Sequence, residues 1–272
     1  MSIRETKIIL RTHRIVPNRL LGQNFTVDPS VFAKLVQYAN LSKEDTVLEV
    51  GAGFGFLTDF LSESSGAVLA VEKDSRVADV LHERLRHSNN VTVILGDALK
   101  ADLPAFNKVV AIPPYYLSSR LVVWLLTRKV DCAVWVLQQE FADRLVAAVG
   151  SESYSWLTVA AYHSLRVELL DAVPKHSFFP QPEVDSVIIR LTPWIQAPFT
   201  VNDKTLFLRM VRWLFTQRNK KLCNAVVPFI KNMRKVTRDE AERIAASIAF
   251  RDKRVRALSP RDFGALANAL AT

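Results

Sequence analysis

The 272-residue sequence has only two cysteines, and it contains no run of about 18 apolar residues. Cys132 and Cys223 lie far apart and show no metal-ligand spacing, so we interpret them as small hydrophobic residues and expect no metal. The first residues carry scattered basic charges instead of a charged cap followed by an apolar stretch, which predicts neither a signal peptide nor a membrane span. We therefore expect a cytoplasmic protein.

Acidic residues are scarce in the last part of the chain. Residues 201–272 hold 16 Lys and Arg against 6 Asp and Glu, whereas residues 1–200 hold 20 against 21. Basic surface can serve solubility alone, but a near-neutral core with a basic attachment favours an enzyme that binds a polyanion. We predict a basic N-terminal tail over residues 1–20, an enzyme domain over 21–195 and a smaller domain over 200–272.

Short apolar strands alternate with helical stretches through the middle of the chain. We predict strands near residues 46–50, 67–71, 91–95, 108–112, 132–137, 165–171 and 184–191. We predict helices over 29–39, 55–64, 74–87, 118–128, 139–148 and 155–163. Such alternation is typical of βαβ units. The predicted fold class is α/β, with a Rossmann-like, doubly wound sheet of seven mostly parallel strands and a smaller all-helical C-terminal domain.

Helical periodicity begins after the proline-containing stretch Thr192–Pro198, which marks the predicted domain boundary. The apolar residues of the first helix recur at helical spacing and are Leu206, Phe207, Met210, Val211, Leu214 and Phe215. The basic residues outside this stripe that we expect to contact phosphates are Arg209, Arg212, Arg218, Lys220 and Lys221. A capping-box pattern from Thr237 to Glu240 predicts the start of a later helix.

A glycine-rich turn follows the first strand of the predicted sheet. Gly51, Gly53 and Gly55 come after Glu49. An acidic side chain there would repel the pyrophosphate of a nicotinamide cofactor but can accept a hydrogen bond from an ammonium group. A glycine triplet alone is also found in simple loops. Its place between a strand and a helix favours S-adenosylmethionine as the ligand, with Glu49, Gly51 and Gly53 around it.

Acidic residues also follow the next two strands. Glu72 comes directly after strand 67–71 and suits ribose hydroxyls. Asp97 and Ala98 follow strand 91–95, where a carboxylate can accept from an adenine amino group, although Asp is also common in turns and helix caps. Because the carboxyl ends of parallel strands meet at one edge of a sheet, these residues predict a single adenosine-binding cleft.

The fourth strand runs into Ile112, Pro113, Pro114 and Tyr115, and we predict that these residues and Phe178 form the catalytic site. The two prolines remove two N–H donors and leave carbonyls to which a planar amine can donate. The ring of Tyr115 can stack on a flipped base, and Phe178 is the candidate for its other face. A rigid surface turn and plain aromatic packing are the alternatives.

These motifs occur in an order that resembles one family over about residues 15–265. They are Leu21–Phe25, Glu49–Gly55, Glu72, Gly96–Ala98, Pro114–Tyr116, Phe178–Ser186 and Phe215–Leu222. Together they resemble the small-subunit ribosomal RNA adenine dimethyltransferase family. The resemblance implies transfer of methyl groups from S-adenosylmethionine to N6 of two neighbouring adenosines near the 3′ end of small-subunit rRNA, in a pre-ribosomal particle.

The resemblance also implies particular cofactor contacts and two departures from the family. The implied contacts are Asn24, Thr26, Gly51, Glu72, Asp97 and Ile112. The family usually has Leu in place of Thr26 and Asn in place of Ile112. An isoleucine side chain accepts no hydrogen bond from the target amine, so we expect slower transfer, or an RNA-binding assembly factor with weak or no activity. A methyltransferase of large-subunit rRNA is a further alternative, and we expect a monomer.

Overall fold

The computed structural model describes residues 2–271, with the side chain of Arg19 excepted. Met1, Thr272 and that side chain fall in the predicted terminal segments and lie outside the described residues. The strands are β1 (Phe25–Thr26), β2 (Thr46–Val50), β3 (Ala67–Glu72), β4 (Val91–Leu95), β5 (Lys108–Ala111), β6 (Cys132–Gln138), β7 (Leu165–Val173), β8 (Phe178–Phe179) and β9 (Ser186–Pro193). The helices are α1 (Ile3–Thr12), α2 (Pro29–Ala39), α3 (Phe56–Ser64), α4 (Ser75–Leu85), α5 (Ser118–Leu125), α6 (Gln139–Leu145), α7 (Trp156–Ser164), α8 (Lys204–Phe215), α9 (Leu222–Arg234), α10 (Arg238–Ser247) and α11 (Pro260–Ala271).

A sheet of seven strands, in the order β4-β3-β2-β5-β6-β9-β7, forms the centre of the part of the chain that holds Met1–Ala142 and Arg166–Pro193. The pairs β4–β3, β3–β2, β2–β5 and β5–β6 are parallel, and β6–β9 is antiparallel. The predicted Rossmann-like, mostly parallel sheet is therefore confirmed. The strand order reverses beside β2, because the chain runs outward through β3 and β4 and then returns to β5. Ligands of such sheets bind beyond the carboxyl ends of the strands at this reversal.

The chain divides into two compact units. Unit 1 holds Met1–Ala142 and Arg166–Pro193, and unit 2 holds Asp143–Leu165 and Trp194–Thr272. The sequence predicts residues 143–165 as part of the enzyme domain, whereas the structure places them with the C-terminal helices. An alternating strand and helix pattern is local, so it does not show which core a helix joins.

The reason for this placement is burial over a long sequence separation. Tyr154 is fully buried in the apolar cluster of unit 2, together with Val159 of α7 and Phe207 of α8. The Tyr154 hydroxyl donates to the carbonyl of Leu258 at 2.8 Å. Segment 143–165 therefore shares its core with helices that begin about 40 residues or more after it in the sequence.

The sequence predicts a basic tail over residues 1–20, but the structure forms a helix there. The N-terminal helix α1 begins after Ser2, whose hydroxyl accepts from the N–H of Glu5 at 3.3 Å. Leu10 and Ile15 are buried in an apolar cluster with Phe25 and other residues of unit 1. The charges of this segment hide the few apolar residues that anchor it, which is why the sequence alone indicates a tail.

A two-stranded antiparallel sheet, β1–β8, is also absent from the sequence prediction. It pairs Phe25 with Phe179 and Thr26 with Phe178. Strands of two residues are too short for an alternating pattern to identify them. This small sheet fastens the N-terminal segment to the loop before β9.

The helical prediction for unit 2 is confirmed in its main features. The apolar stripe of α8 is buried, with Leu206, Phe207, Met210, Val211 and Leu214 in the core. The capping box from Thr237 to Glu240 begins α10 as expected. Within residues 2–271, no helix has the length and apolar composition needed to cross a bilayer.

We predict that Tyr154→Phe destabilises the protein, because it removes the hydroxyl that bonds the Leu258 carbonyl. The expected loss in the free energy of unfolding is about 1 kcal/mol. A thermal melt would record it as a midpoint roughly 2–4 °C lower. Tyr162→Phe is the matched control, because the Tyr162 side chain is 42% exposed. Equal midpoints for Tyr154→Phe and the unmodified protein would contradict a stabilising role for this bond.

Candidate functional site

A cleft opens at the carboxyl ends of the parallel strands and encloses about 830 Å³, open solvent at its mouth included. The predicted residues that line it are Asn24, Gly51, Gly53, Glu72, Asp97, Ala98, Ile112, Pro113, Pro114, Tyr115 and Phe178. Thr26 and Glu49 line a smaller cleft, which shares Asn24, Gly51, Gly53 and Ile112 with the first. The structure thus brings the predicted cofactor and acceptor residues together within unit 1. Their roles as ligand contacts stay predictions.

The glycine turn after β2 needs glycine because its walls are close. Gly51 and Gly53 have φ values of 76° and 58°, in the region that side chains disfavour. A Cβ atom on Gly51 would lie 3.2 Å from Cδ of Pro114, and one on Gly53 would lie 3.5 Å from Cδ1 of Phe25. The turn therefore lies directly against the predicted acceptor loop, Pro113–Tyr115, and a larger residue at position 51 would have to displace Pro114.

Glu72 connects the end of β3 to this turn. Its Oε2 accepts from the N–H of Gly53 at 2.9 Å, and its Oε1 accepts from the N–H groups of Lys73 and Asp74 at 2.8 and 2.9 Å. Burial raises the pKa of Glu72, and these three backbone bonds act in the opposite direction. A carboxylate has about four acceptor positions, so about one is left for a ribose hydroxyl.

Asp97 has a structural role in addition to its place in the cleft. Its Oδ1 accepts from the N–H of Leu99 at 3.1 Å, a bond typical of the turn or helix-cap role that is the alternative prediction for Asp97. Its Oδ2 lies 3.6 Å from Nζ of Lys73. The second carboxylate oxygen is thus directed at a cation, and a contact with an adenine amino group stays a prediction.

Glu49 is a buried acid within the smaller cleft. It is 2% exposed, and the hydroxyl of Thr58 donates to its Oε2 at 2.6 Å. Burial raises the pKa of Glu49 to about 8, and the nearby carboxylates of Asp59 and Glu72 raise it further. The carboxyl group is therefore mostly protonated at neutral pH, and a cation bound next to it would favour its ionised form.

The aromatic residues after β5 differ in how they face the cleft. The Tyr115 hydroxyl and Oγ of Ser186 are hydrogen-bonded at 2.7 Å, and the Tyr115 side chain is half-buried. Its neighbour Tyr116 is 48% exposed and also lines the cleft. The predicted site omits Tyr116, although it directly follows Tyr115 in the sequence. The more exposed ring at the cleft is therefore Tyr116.

Phe178 is more deeply buried than a freely accessible stacking residue. It is 2% exposed and belongs to the main apolar cluster of unit 1, while it also lines the cleft. In the β1–β8 sheet it lies opposite Thr26. Phe178 thus forms the floor of the cleft, and contact of its ring with a base stays a prediction.

Gln23 and Lys73 line the cleft as well, and sequence reasoning does not single out either of them as a site residue. The side-chain amide of Gln23 donates to Oδ2 of Asp74 at 2.9 Å and so fastens the N-terminal loop beside the cleft. Gln23 lies within the quoted stretch Leu21–Phe25, which is the one signal that could have identified it. Lys73 has no such signal.

Ile112 lies where the two clefts meet and is half-buried. Its side chain offers no hydrogen-bonding atom. The carbonyl of Pro114 accepts from the N–H of Leu117 at 2.9 Å. No hydrogen bond found within residues 2–271 uses the carbonyl of Pro113, which leaves that oxygen as an acceptor next to Ile112.

The five basic residues predicted to bind RNA all lie in unit 2, in two places. Arg209 and Arg212 are exposed and line a groove with Trp213 and Phe229. Arg218 donates to the carbonyls of Ser151 and Glu152, each at 2.9 Å. Its guanidinium therefore holds segment 143–165 in place, whatever else it contacts.

Lys220 and Lys221 are exposed at the surface of unit 2. Nζ of Lys220 donates to Oε1 of Gln217 at 2.9 Å, and Nζ of Lys221 lies 3.6 Å from Oδ1 of Asp252. Both contacts lie at the surface, where an ion pair such as that of Lys221 with Asp252 contributes little to stability. RNA contact by these residues stays a prediction.

The described side chains contain no group of three or more His, Cys, Asp or Glu residues that could hold a metal ion. Cys132 is buried, and burial raises the pKa of its thiol to about 11. A thiol in this state is a poor nucleophile. Its surroundings agree with the interpretation of Cys132 as a small hydrophobic residue.

The sequence matches the family model of ribosomal RNA adenine dimethylase over residues 17–258. A probable ribosomal RNA small subunit methyltransferase A from Methanosarcina mazei is 40% identical over 248 residues, which cover 90% of this chain and 90% of that protein. The crystal structure of a dimethyladenosine transferase from Plasmodium falciparum has 28% sequence identity and a TM-score of 0.76, covering 89% of this chain and 95% of that one. The structure of the 23S rRNA methyltransferase ErmE has 28% identity and a TM-score of 0.67, covering 92% and 100%.

We predict that Glu49→Gln changes how stability depends on pH. Because the pKa of Glu49 rises from 4.5 to about 8 on folding, its contribution is complete below pH 4.5 and is lost as the pH rises towards 8. Glutamine does not titrate, so the melting temperature of the variant, relative to the unmodified protein, should increase between pH 5 and pH 8. Thermal melts across this range measure the difference.

Glu63→Gln is the control for this experiment, because Glu63 is exposed near the end of α3. Its melting temperature should follow that of the unmodified protein at each pH. A Glu49→Gln curve that runs parallel to both would show that Glu49 does not titrate as described.

Proposed function

The chain belongs to the ribosomal RNA adenine dimethylase family, and we propose that it methylates N6 of two adjacent adenosines near the 3′ end of small-subunit rRNA during ribosome biogenesis. The observation that supports this most is the cleft at the strand reversal. In that cleft, the acidic residues at the ends of the strands line the same space as the loop Pro113-Pro114-Tyr115. A small subunit under assembly in the cytoplasm is the proposed partner, and the protein acts as a monomer.

S-adenosylmethionine is the cofactor of this family. When bound, it would supply the methyl group, whose bond to the sulfonium sulfur breaks as its bond to the acceptor nitrogen forms. The residues present fit such a ligand. The cleft combines apolar walls with a few polar groups from the strand ends, as small-molecule sites do. Glu72 has acceptor capacity left for a ribose, and the tight glycine turn allows a ligand to approach the backbone closely.

The donor and acceptor sides of the cleft are held next to each other by packing. Pro114 lies so close to Gly51 that a single added carbon would meet its ring at 3.2 Å. Positioning of two reactants in this way lowers the barrier because translational freedom is lost before the reaction. The exposed ring of Tyr116 and the half-buried ring of Tyr115 are placed to orient an extruded base at the cleft mouth.

The Pro113 carbonyl is the proposed acceptor for one hydrogen of the target N6 amine. An amine that donates to it is drawn out of conjugation with the purine ring and becomes a better nucleophile. The N6 proton that is lost on methylation passes to water at the open mouth of the cleft. Ile112, at the same edge, excludes water from the reacting atoms but gives no second hydrogen bond.

Ile112 also motivates a second candidate function, an RNA-binding assembly factor with weak or no methyl transfer. A missing oriented hydrogen bond in the transition state costs about 1–3 kcal/mol. That corresponds to roughly a 5- to 150-fold slower reaction, which is slow chemistry and not the absence of it. The observations on the cleft as a whole therefore favour the enzyme.

Incubation with labelled S-adenosylmethionine and small subunits that lack the modification tests the proposal. Label on two neighbouring adenosines, located by mass spectrometry, supports it. Binding to subunits without label favours the assembly factor. Large-subunit RNA is offered in a parallel reaction. If only that RNA is labelled, it is the substrate and small-subunit rRNA is not. That comparison is warranted by the similarity to ErmE, a 23S rRNA methyltransferase.

We predict that Ile112→Asn speeds methyl transfer by about 5- to 150-fold, because the amide oxygen supplies a second acceptor for the N6 hydrogens. The measurement is the single-turnover rate with small subunits and cofactor at saturation. Ile112→Val is the matched control, since it changes the side chain without adding a polar atom, and its rate should stay within about threefold of the unmodified enzyme. A rate for Ile112→Asn at or below that of Ile112→Val would contradict this account of position 112.

A further inference from the structure

Phe250, in the loop between α10 and α11, has a backbone conformation that bulky residues rarely adopt. Its φ is 62°, in the left-handed region, where Gly or Asn is the usual choice. Its side chain is 37% exposed. In the described part of unit 2 it lies outside the apolar cluster, although Ile248 and Val255 nearby belong to that cluster. Neither the backbone nor the core accounts for a phenylalanine at this position.

The loop that carries Phe250 is fastened to the beginning of α9. The N–H of Leu222 donates to the carbonyl of Lys253 at 2.8 Å, and the N–H of Cys223 donates to the carbonyl of Arg251 at 3.0 Å. Within the loop, the N–H of Lys253 donates to the carbonyl of Phe250 at 2.9 Å. These bonds hold the backbone of the strained residue in place before any partner binds.

The same pairing brings two basic segments together. A β-bridge joins Lys221 to Arg254. The exposed cationic side chains of these two paired segments are Lys220, Lys221, Arg251, Lys253 and Arg254, and Lys253 lies against the ring itself. Asp252 lies 3.6 Å from Lys221 and 3.5 Å from Arg251, and Asp262 lies 3.4 Å from Lys253, which leaves an excess of positive charge. Arg251 also donates to the carbonyl of Ala246 and Arg254 to the carbonyl of Asn219, so part of each guanidinium is used within the unit. We call Phe250 and these five cations the Phe250 surface.

We propose that the Phe250 surface binds single-stranded RNA, with an unpaired base stacked on the Phe250 ring and the cations on the flanking phosphates. This rests on the proposed function, which makes RNA the partner. Nζ of Lys253 lies 4.8 Å from the centre of the ring on one face, so the base stacks on the opposite face. An aromatic ring surrounded by cations is the arrangement with which proteins bind single strands without reading their sequence.

The chemistry of the surface favours RNA over a protein partner. Five cations against a small exposed apolar area match a phosphate backbone, whereas a protein interface core is depleted of lysine. Stacking also explains why strain is tolerated, because a base needs a flat ring and neither Gly nor Asn supplies one.

Full-length protein, without cofactor, is titrated with a fluorescein-labelled single strand of 12 adenosines and with a mixed-sequence RNA duplex. Phe250→Asn removes the ring and suits the left-handed backbone. We expect its affinity for the single strand to fall by about 5- to 150-fold, the contribution of one stacked base. Its duplex affinity should be unchanged, because paired bases do not reach the ring.

Two further measurements separate stacking from a structural role. Phe250→Asn should raise the melting temperature by about 2 °C or more, since it relieves backbone strain. Phe250→Tyr, which keeps both ring and strain, should bind the single strand within about twofold of the unmodified protein. Loss of affinity together with a gain in stability is a combination that a purely structural phenylalanine would not show.

The salt dependence of binding identifies the phosphate contacts. Lys221→Gln should reduce the slope of log affinity against log salt by about 0.7, the value for one phosphate of a single strand. Phe250→Asn should leave that slope unchanged, because stacking releases no counterions.

The proposal is overturned if Phe250→Asn binds the single strand as well as the unmodified protein does, or loses duplex affinity to the same extent. A lower melting temperature, or no binding of the strand by the unmodified protein, would overturn it as well. None of these measurements involves methyl transfer. An inactive enzyme that still shows the expected stacking would therefore contradict only the proposed function.

Discussion

The carboxylate of Glu72 is the group around which the cleft is arranged. It joins the end of β3 to the glycine turn after β2 through the N–H of Gly53, and it closes its own turn through Lys73 and Asp74. Burial raises the pKa of Glu72, and the three backbone donors act in the opposite direction without cancelling that shift. The same interaction therefore shapes the turn and keeps an acceptor oxygen at the cleft. Loss of this side chain would leave the N–H groups of Gly53, Lys73 and Asp74 without these acceptors.

Close packing joins the other side of the cleft to this turn. Gly51 and Pro114 approach until no side-chain carbon fits between them at ordinary distance, and the acceptor loop follows directly from β5. The strand reversal places β5 next to β2, so the glycine turn and the loop after β5 meet although more than 50 residues separate them in the sequence. Ile112 lies between the two clefts and lowers the polarity of the point where they join.

The basic character of unit 2 is organised by backbone pairing. Residues 218–223 and 250–256 are distant in the sequence, and hydrogen bonds between them build one surface. The guanidinium of Arg218 is used inside the unit, on the carbonyls of Ser151 and Glu152. The number of basic residues in a segment therefore overstates how many of them are available to an external polyanion.

Much of unit 1 could be predicted from the sequence, because parallel strands are short apolar runs that end at polar residues. The strands Thr46–Val50 and Val91–Leu95 have the predicted bounds. These bounds identify the polar residues that follow each strand at the edge of the sheet. The pairing of β1 with β8 and the helix α1 could not be predicted in the same way. Two-residue strands have no periodicity, and the few buried residues of α1 are masked by charge.

The amino-acid sequence by itself determined which residues reach the edge of the sheet, since strand ends and a glycine turn are local features. Only the tertiary structure decided which atoms of those residues are left for a ligand. In the folded protein the hydroxyl of Tyr115 is hydrogen-bonded to Ser186, Tyr116 is exposed and Phe178 is buried. Residues 143–165 belong to unit 2. The physical reason is that hydrogen bonds and burial are completed by distant segments of the chain, whose partners a local pattern does not contain.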